Sequence, residues 1–223
     1  MKGIIFDFNG TLFWDSQLHI DAWIEYSTKI RENPFTVDEM LHHMFGKTNK
    51  DILTYALGKE PDDAFVEKIA QEKEAHYRNM CLKKPDEFKL APNAEAFLDY
   101  LKANNVPIAI ATMSEWCNVE FYIKEFGLLK WFDEDKIVYS DGTLPGKPAP
   151  DIYLLAAKRL GLKPSECIVF EDALSGIEAA RQAGVKDIIA VASREPIEFY
   201  KNVKGVSKII TDFSEVIKMA QCK

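Results

Sequence analysis

The chain has 223 residues, of which 47% are hydrophobic and 28% charged, a balance that is typical of globular proteins and excludes a disordered or fibrous class. Asp and Glu number 35 against 28 Lys and Arg, so a net charge of −7 argues against a nucleic-acid-binding or membrane-surface protein. No apolar run approaches the length of a membrane span, and the 4 cysteines lack metal-ligand or redox-motif spacing. We therefore expect a cytoplasmic protein with reduced thiols that contacts neither nucleic acid nor membrane.

The chain opens on a short apolar strand at residues 3–8, of the kind that is buried on both faces of a parallel sheet. A polar turn follows at residues 9–11. From residue 15 to residue 85 the pattern changes, because apolar side chains recur every four positions from Leu18 to Ile30, as on one face of a helix. Proline and glycine residues divide this segment into about four helices, so it is predicted to be a helical domain.

Beyond residue 85, short apolar strands alternate with helices. Strands are predicted at residues 107–111, 136–139, 167–170, 187–191 and 208–211. Helices are predicted at residues 93–103, 115–126, 150–160, 174–183 and 215–220. This alternation indicates an α/β fold with a doubly wound parallel sheet. The predicted domains are an α/β core of residues 1–14 and 86–223 and a small α-helical domain of residues 15–85, inserted after the first strand.

Polar side chains follow several of the predicted strands, where the ligands of an open parallel sheet bind. A carboxylate there can attack phosphorus if a cation offsets the repulsion between the two anions. Carboxylates of neighbouring strand ends suit Mg²⁺, and a hydroxyl and a lysine can hold phosphoryl oxygens. The candidates for this chemistry are Asp7, Asn9, Thr112, Ser114, Lys147, Glu171 and Asp172.

Four segments carrying these residues resemble the ordered motifs of the haloacid dehalogenase (HAD) superfamily, and most closely its β-phosphoglucomutase-like phosphatases and mutases. The segments are Asp7-Phe8-Asn9-Gly10-Thr11-Leu12, Thr112, Gly146-Lys147-Pro148 and Glu171-Asp172. The helical insert is similar to the cap domain of that superfamily, so the resemblance spans essentially the whole chain. It implies a HAD-like Rossmannoid core and a Mg²⁺-dependent phosphohydrolase of a small phosphorylated metabolite, such as a sugar phosphate. We expect a monomer or a weak homodimer.

The resemblance also implies a role for each matching residue. Asp7 would be the nucleophile and a metal ligand, and residue 9 would offer its backbone carbonyl to the metal. Thr112 and Lys147 would bind the phosphoryl group, while Glu171 and Asp172 would complete the metal site. The residues expected on the substrate side are His19, Gly46, Lys47, Lys73 and Ser114, together with Thr112 and Lys147.

Asn9 departs from the pattern, because phosphatases and mutases of this family carry a general acid–base aspartate at that position. An amide cannot donate a proton to a leaving alkoxide, and such help is worth roughly 10²–10⁴-fold in rate. Attenuated phosphatase chemistry is therefore expected, with a catalytically weak phosphate-binding relative as one alternative. A sugar-phosphate mutase is another, although β-phosphoglucomutases carry an arginine where Asn49 stands. A receiver domain is disfavoured by the helical insert and the late position of Glu171-Asp172.

Overall fold

The computed structural model describes residues 2–43 and 49–221. The chain forms two compact units, one of residues 1–14 and 89–223 and the other Asp15–Phe88. The first boundary between the units lies between residues 14 and 15. The second lies between residues 88 and 89, three residues beyond the predicted boundary between residues 85 and 86. Within the two described ranges, no helix is both long enough and apolar enough to cross a bilayer.

The smaller unit is helical throughout its described part. Its apolar stripe is the buried face of the first helix, because Leu18, Ala22 and Tyr26 are all buried. The fourth helix begins where the Asp62 carboxylate accepts a hydrogen bond from the Phe65 amide, an N-cap that satisfies a backbone donor. The bounds of these helices are α1 (Ser16–Ser27), α2 (Val37–His43), α3 (Asn49–Leu57) and α4 (Asp63–Lys83).

The larger unit is built on a six-stranded sheet in which all neighbouring strands are parallel. The strands are β1 (Gly3–Phe6), β2 (Ile108–Glu115), β3 (Ile137–Ser140), β4 (Cys167–Glu171), β5 (Asp187–Val191) and β6 (Val206–Ile210). Their order is β3-β2-β1-β4-β5-β6, so the chain moves outward from β1 in both directions. Such a reversal of strand order opens a crevice at the carboxyl ends of the central strands, where ligands bind.

Both faces of the sheet are covered, since successive side chains of a strand point to opposite sides. Ile5 packs in a core with Ile152 and Ile177, whereas Phe6 packs in an aromatic cluster with Phe97, Phe170 and Phe213. The helices of this unit are α5 (Ala94–Ala103), α6 (Trp116–Phe126), α7 (Asp151–Arg159), α8 (Leu174–Gln182), α9 (Ile197–Tyr200) and α10 (Ser214–Gln221). The prediction of a doubly wound parallel α/β fold is confirmed.

The structure differs from the sequence-based prediction at several points, the first being that strand β1 ends at Phe6 rather than at residue 8. Strand β2 continues past Ala111 to Glu115, because a register shift lets Glu115 pair with Ser140 of β3. Thr112 therefore lies within the strand rather than after it, and it is buried despite its hydroxyl. The four-residue helix α9 was not predicted, since a single helical turn is too short to show a period.

Candidate active site

The carboxyl ends of β1 and β4 hold three carboxylates, and the segment between β3 and α7 adds a lysine. Asp7 follows β1 directly, and its amide donates to the Phe170 carbonyl of β4 at 3.0 Å. The Lys147 ammonium lies 2.6 Å from Asp7 Oδ1 and 2.6 Å from Glu171 Oε1. Carboxylate oxygens of Asp7, Glu171 and Asp172 lie within 4.8 Å of one another. Four of the residues singled out in the sequence therefore lie together. We call the three carboxylates the acidic cluster, and Lys147 contacts two of them.

Two glycines make room for this cluster. A Cβ on Gly10, which has a φ of +80°, would collide with the Asp172 carboxylate. A Cβ on Gly176, near the start of α8, would collide with the Glu171 carboxylate. Thr11 adds a hydrogen bond from its hydroxyl to Asp172 Oδ1 at 3.1 Å. The acidic side chains thus pack directly against backbone, which restricts their conformations.

Asn9 is held by three side chains of the same unit. Its Oδ1 accepts from the Ser114 hydroxyl at 2.7 Å and from the Thr112 hydroxyl at 3.2 Å. Its Nδ2 donates to the Tyr122 hydroxyl at 3.0 Å. A hydroxyl has one proton to donate. Thr112 and Ser114 can therefore donate to a phosphoryl oxygen only after turning away from Asn9.

Burial dominates the electrostatics of the acidic cluster. It raises the pKa of Asp7 from 3.8 to about 7, against the attraction of Lys147 and with the repulsion of Glu171. Burial, Glu171 and Asp7 likewise raise the pKa of Asp172 well above its usual range. Burial disfavours the ammonium of Lys147, but Asp7 and Glu171 hold its pKa well above the usual value. Three carboxylates therefore share the positive charge of one ammonium in a site that is shielded from water.

This arrangement of charges predicts how the metal-free protein responds to pH. A carboxyl whose pKa rises on folding adds stability that is complete below its unfolded value, near 3.8 for Asp7, and is lost as the pH rises through about 7. In EDTA, the melting temperature of Asp7→Asn should exceed that of the wild type by a margin that widens by a few degrees from pH 5 to pH 8, at about 2–4 °C per kcal/mol. Thermal unfolding from pH 5 to 8 measures this, with exposed Asp141→Asn as the control. Parallel curves for wild type and Asp7→Asn would contradict it.

The donor set of the acidic cluster fits a hard divalent cation. All three side chains offer carboxylate oxygens, the ligands that Mg²⁺ and Ca²⁺ prefer, and no sulfur or imidazole is among them. Asp7 and Glu171 are buried, so their charges are poorly screened by water. Because Lys147 supplies one positive charge against three carboxylates, a divalent cation would bring the cluster close to neutrality. The cluster could therefore hold a metal ion.

The substrate-side residues predicted from the resemblance are not all in this unit. His19 and Lys73 lie in the helical unit, where Lys73 Nζ donates to His19 Nδ1 at 3.2 Å and Asp15 Oδ2 lies 3.2 Å from His19 Nε2. Lys73 is buried and also contacts Glu74 at 2.6 Å. Both nitrogens of the His19 ring are thus engaged within that unit. Gly46 and Lys47 lie outside the described residues.

Two tyrosine hydroxyls contact residues of the acidic cluster, and neither is among the site residues predicted from the sequence. Tyr153 of α7 donates to Glu171 Oε1 at 3.1 Å, and Tyr200 of α9 donates to the Asp172 carbonyl at 2.7 Å. Burial, followed by the Glu171 charge, raises the pKa of Tyr153 well above its usual range. The available signal was that a tyrosine on the apolar face of a helix buries a hydroxyl that needs a partner.

Comparison with known proteins gives consistent matches over most of the chain. A family model described as haloacid dehalogenase-like hydrolase matches residues 1–184. A phosphorylated carbohydrates phosphatase of Thermotoga maritima is 30% identical over 196 residues, which cover 86% of this chain and 85% of the relative. A fructose-1-phosphate phosphatase of Escherichia coli is 32% identical over 185 residues, covering 82% of this chain and 93% of the relative.

A solved structure has a closely similar fold. The crystal structure of a HAD hydrolase, family IA, variant 3, from Entamoeba histolytica superimposes with a TM-score of 0.91 and is 43% identical in sequence. The superposition covers 96% of this chain and 95% of that chain. The similarity therefore includes residues of both compact units.

Proposed function

The chain belongs to the haloacid dehalogenase-like hydrolase family, as its motifs predicted, and from that premise we propose how it hydrolyses phosphate esters of small metabolites. The observation that carries the proposal is Lys147, which bridges Asp7 and Glu171 at 2.6 Å each beside Asp172. A carboxylate that lies at the carboxyl end of a parallel strand and is paired with an ammonium is suited to attack phosphorus. The two phosphatases compared above support a phosphorylated carbohydrate as the substrate class.

In the first half of the reaction, an Asp7 oxygen attacks phosphorus and the ester P–O bond breaks. The leaving oxygen carries off the bonding electron pair and takes up a proton, and an acyl-phosphate remains on Asp7. In the second half, water attacks the phosphorus and the Asp7 carboxylate is released with inorganic phosphate. Lys147 stays beside Asp7 throughout and offsets the negative charge that gathers on the phosphoryl oxygens.

Asp7, Glu171, Asp172 and the backbone carbonyl of Asn9 are the groups that would hold Mg²⁺. Bound there, Mg²⁺ would supply positive charge against the phosphoryl oxygens and the carboxylates. The Thr112 and Ser114 hydroxyls would bind phosphoryl oxygens once they turn from Asn9. The Asn9 amide has no acidic proton for the leaving group, so that proton comes from water or from the substrate, and the reaction is slowed.

Removal of the metal tests this proposal. We expect phosphate release from a panel of sugar phosphates and nucleotides to fall at least about tenfold in EDTA, because charge compensation is worth several kcal/mol in the transition state. Excess Mg²⁺ should restore the rate. Equal rates with and without EDTA would exclude a metal-dependent phosphohydrolase. Isomerisation of a sugar phosphate with added bisphosphate, in place of phosphate release, would instead identify a mutase.

A further inference from the structure

Tyr153 is a buried neighbour of the acidic cluster to which the reaction described above gives no part. Its side chain is fully buried within the core between α7 and the sheet. Its hydroxyl donates to Glu171 Oε1 at 3.1 Å, and the Lys147 ammonium lies 5.1 Å from the centroid of its ring. One residue thus contacts both Glu171 and Lys147, once through its hydroxyl and once through its ring face.

The Glu171 carboxylate is fixed by three donors. Oε1 accepts from Lys147 at 2.6 Å and from Tyr153, while Oε2 accepts from the Ala173 amide at 2.7 Å. Gly176 lies so close that the carboxylate has no room to move in that direction. Among these donors, the Lys147 ammonium is shared with Asp7 and the Ala173 amide belongs to the backbone. The Tyr153 hydroxyl is therefore the donor that holds Oε1 independently of Asp7.

We propose that Tyr153 is a positioning residue, whose hydroxyl holds the Glu171 carboxylate so that Lys147 stays shared between Glu171 and Asp7. This inference rests on the proposed function, in which Asp7 is the nucleophile and Glu171 helps to hold the metal. Tyr153 acts through Glu171 and touches no reacting atom.

Loss of the hydroxyl would change the balance around Lys147. Glu171 Oε1 would retain Lys147 as its side-chain donor and would draw the ammonium away from Asp7. The aromatic ring, its packing in the core and its contact with Lys147 would remain in a phenylalanine. Hydrogen-bond partners of metal ligands are worth about 10–100-fold in metal affinity or activity, so an effect of about tenfold is expected.

The test compares Tyr153→Phe with Tyr26→Phe, a matched control in the helical unit. Tyr26 is also buried, and its hydroxyl donates to Glu72 Oε2 at 2.6 Å, so the control likewise removes a tyrosine–glutamate hydrogen bond. With p-nitrophenyl phosphate as the probe, Tyr153→Phe should lower kcat about tenfold and leave KM within about twofold. It should also raise the Mg²⁺ concentration that gives half of the thermal stabilisation by Mg²⁺ alone. Tyr26→Phe should change neither quantity.

A double-mutant cycle with Glu171→Gln separates positioning from a general loss of structure. If Tyr153 acts through Glu171, Tyr153→Phe should have little further effect in the Glu171→Gln background. Multiplying effects, or a single variant within about twofold of the wild type in kcat and Mg²⁺ response, would overturn the proposal. A loss of kcat in Tyr153→Phe that is fully accounted for by a loss of folded protein would also overturn it, because the hydroxyl would then be structural. If the wild type releases no phosphate with Mg²⁺, the proposed function fails, while the Mg²⁺-induced thermal shifts still decide the role of Tyr153.

Discussion

Replacing Asp7 by asparagine is expected to lower the rate of phosphate release by about 10⁴-fold or more, because the amide cannot form the acyl-phosphate. The change preserves the shape of a buried side chain at the end of β1. Its other effect is to remove one of three mutually repelling carboxylates, so the variant should fold at least as well as the wild type. Steady-state assays with Mg²⁺ measure the loss. Rapid quenching of the wild type should trap a phosphorylated peptide that contains Asp7.

The chain offers a matched control in Asp141, which also precedes a glycine and a threonine. Its carboxylate accepts from the Thr143 amide at 2.9 Å and the Thr143 hydroxyl at 2.6 Å, which makes it a local turn residue in an exposed loop. Asp141→Asn should leave the rate within about twofold, since surface substitutions of this kind have small effects. More than about 1% residual activity in Asp7→Asn would rule out Asp7 as the nucleophile.

Replacing Asn9 by aspartate should raise phosphate release by about two orders of magnitude or more on at least one substrate of the panel. The new carboxyl group keeps the shape of the amide and can accept from Thr112 and Ser114 as the amide oxygen does. Tyr122, which accepts from the amide nitrogen, would turn its hydroxyl to donate instead. The gained function is a group that can protonate the leaving oxygen and later take a proton from water.

The control for this gain is Asn104→Asp, at the end of α5, where the amide donates to the Tyr100 carbonyl at 2.8 Å on an exposed surface. It should leave the rate unchanged. If Asn9→Asp adds nothing to an already active protein, another group or the substrate supplies the proton. If neither form turns over with Mg²⁺, a phosphate-binding role for the chain replaces the enzymatic one.

The grouping of Asp7, Lys147, Glu171 and Asp172 can be predicted from the sequence for a topological reason. Each follows or faces the carboxyl end of a short apolar segment, and such ends meet at one edge of a parallel sheet. The order of the motifs adds information that no single motif carries. The sequence could therefore indicate a metal-compatible phosphate site before any distance was known.

The contacts around Asn9 and Glu171 cannot be predicted from the sequence, for a different reason. Tyr122 and Tyr153 lie on helices whose period indicates only an apolar face, and the partner of a buried hydroxyl depends on the packing of distant segments. Thr112 was placed after its strand because polar residues usually end an apolar run. The register shift that carries β2 on to Glu115 depends on the neighbouring strand, which lies beyond residue 136.

The central position of β1 has a consequence for biosynthesis. Ile4 pairs with Ile108 on one side and with Ile168 on the other, so both neighbours of the strand are synthesised roughly 100 and 160 residues later. At about 5–20 residues per second, the second edge of β1 waits on the order of 10–30 s for its partner on the ribosome. During that interval the apolar residues of β1 (Gly3–Phe6), which are all buried in the folded protein, lack their pairing with β4. Until then the nascent chain exposes an apolar segment directly before Asp7, and contacts with a chaperone or with other parts of the chain would shield it.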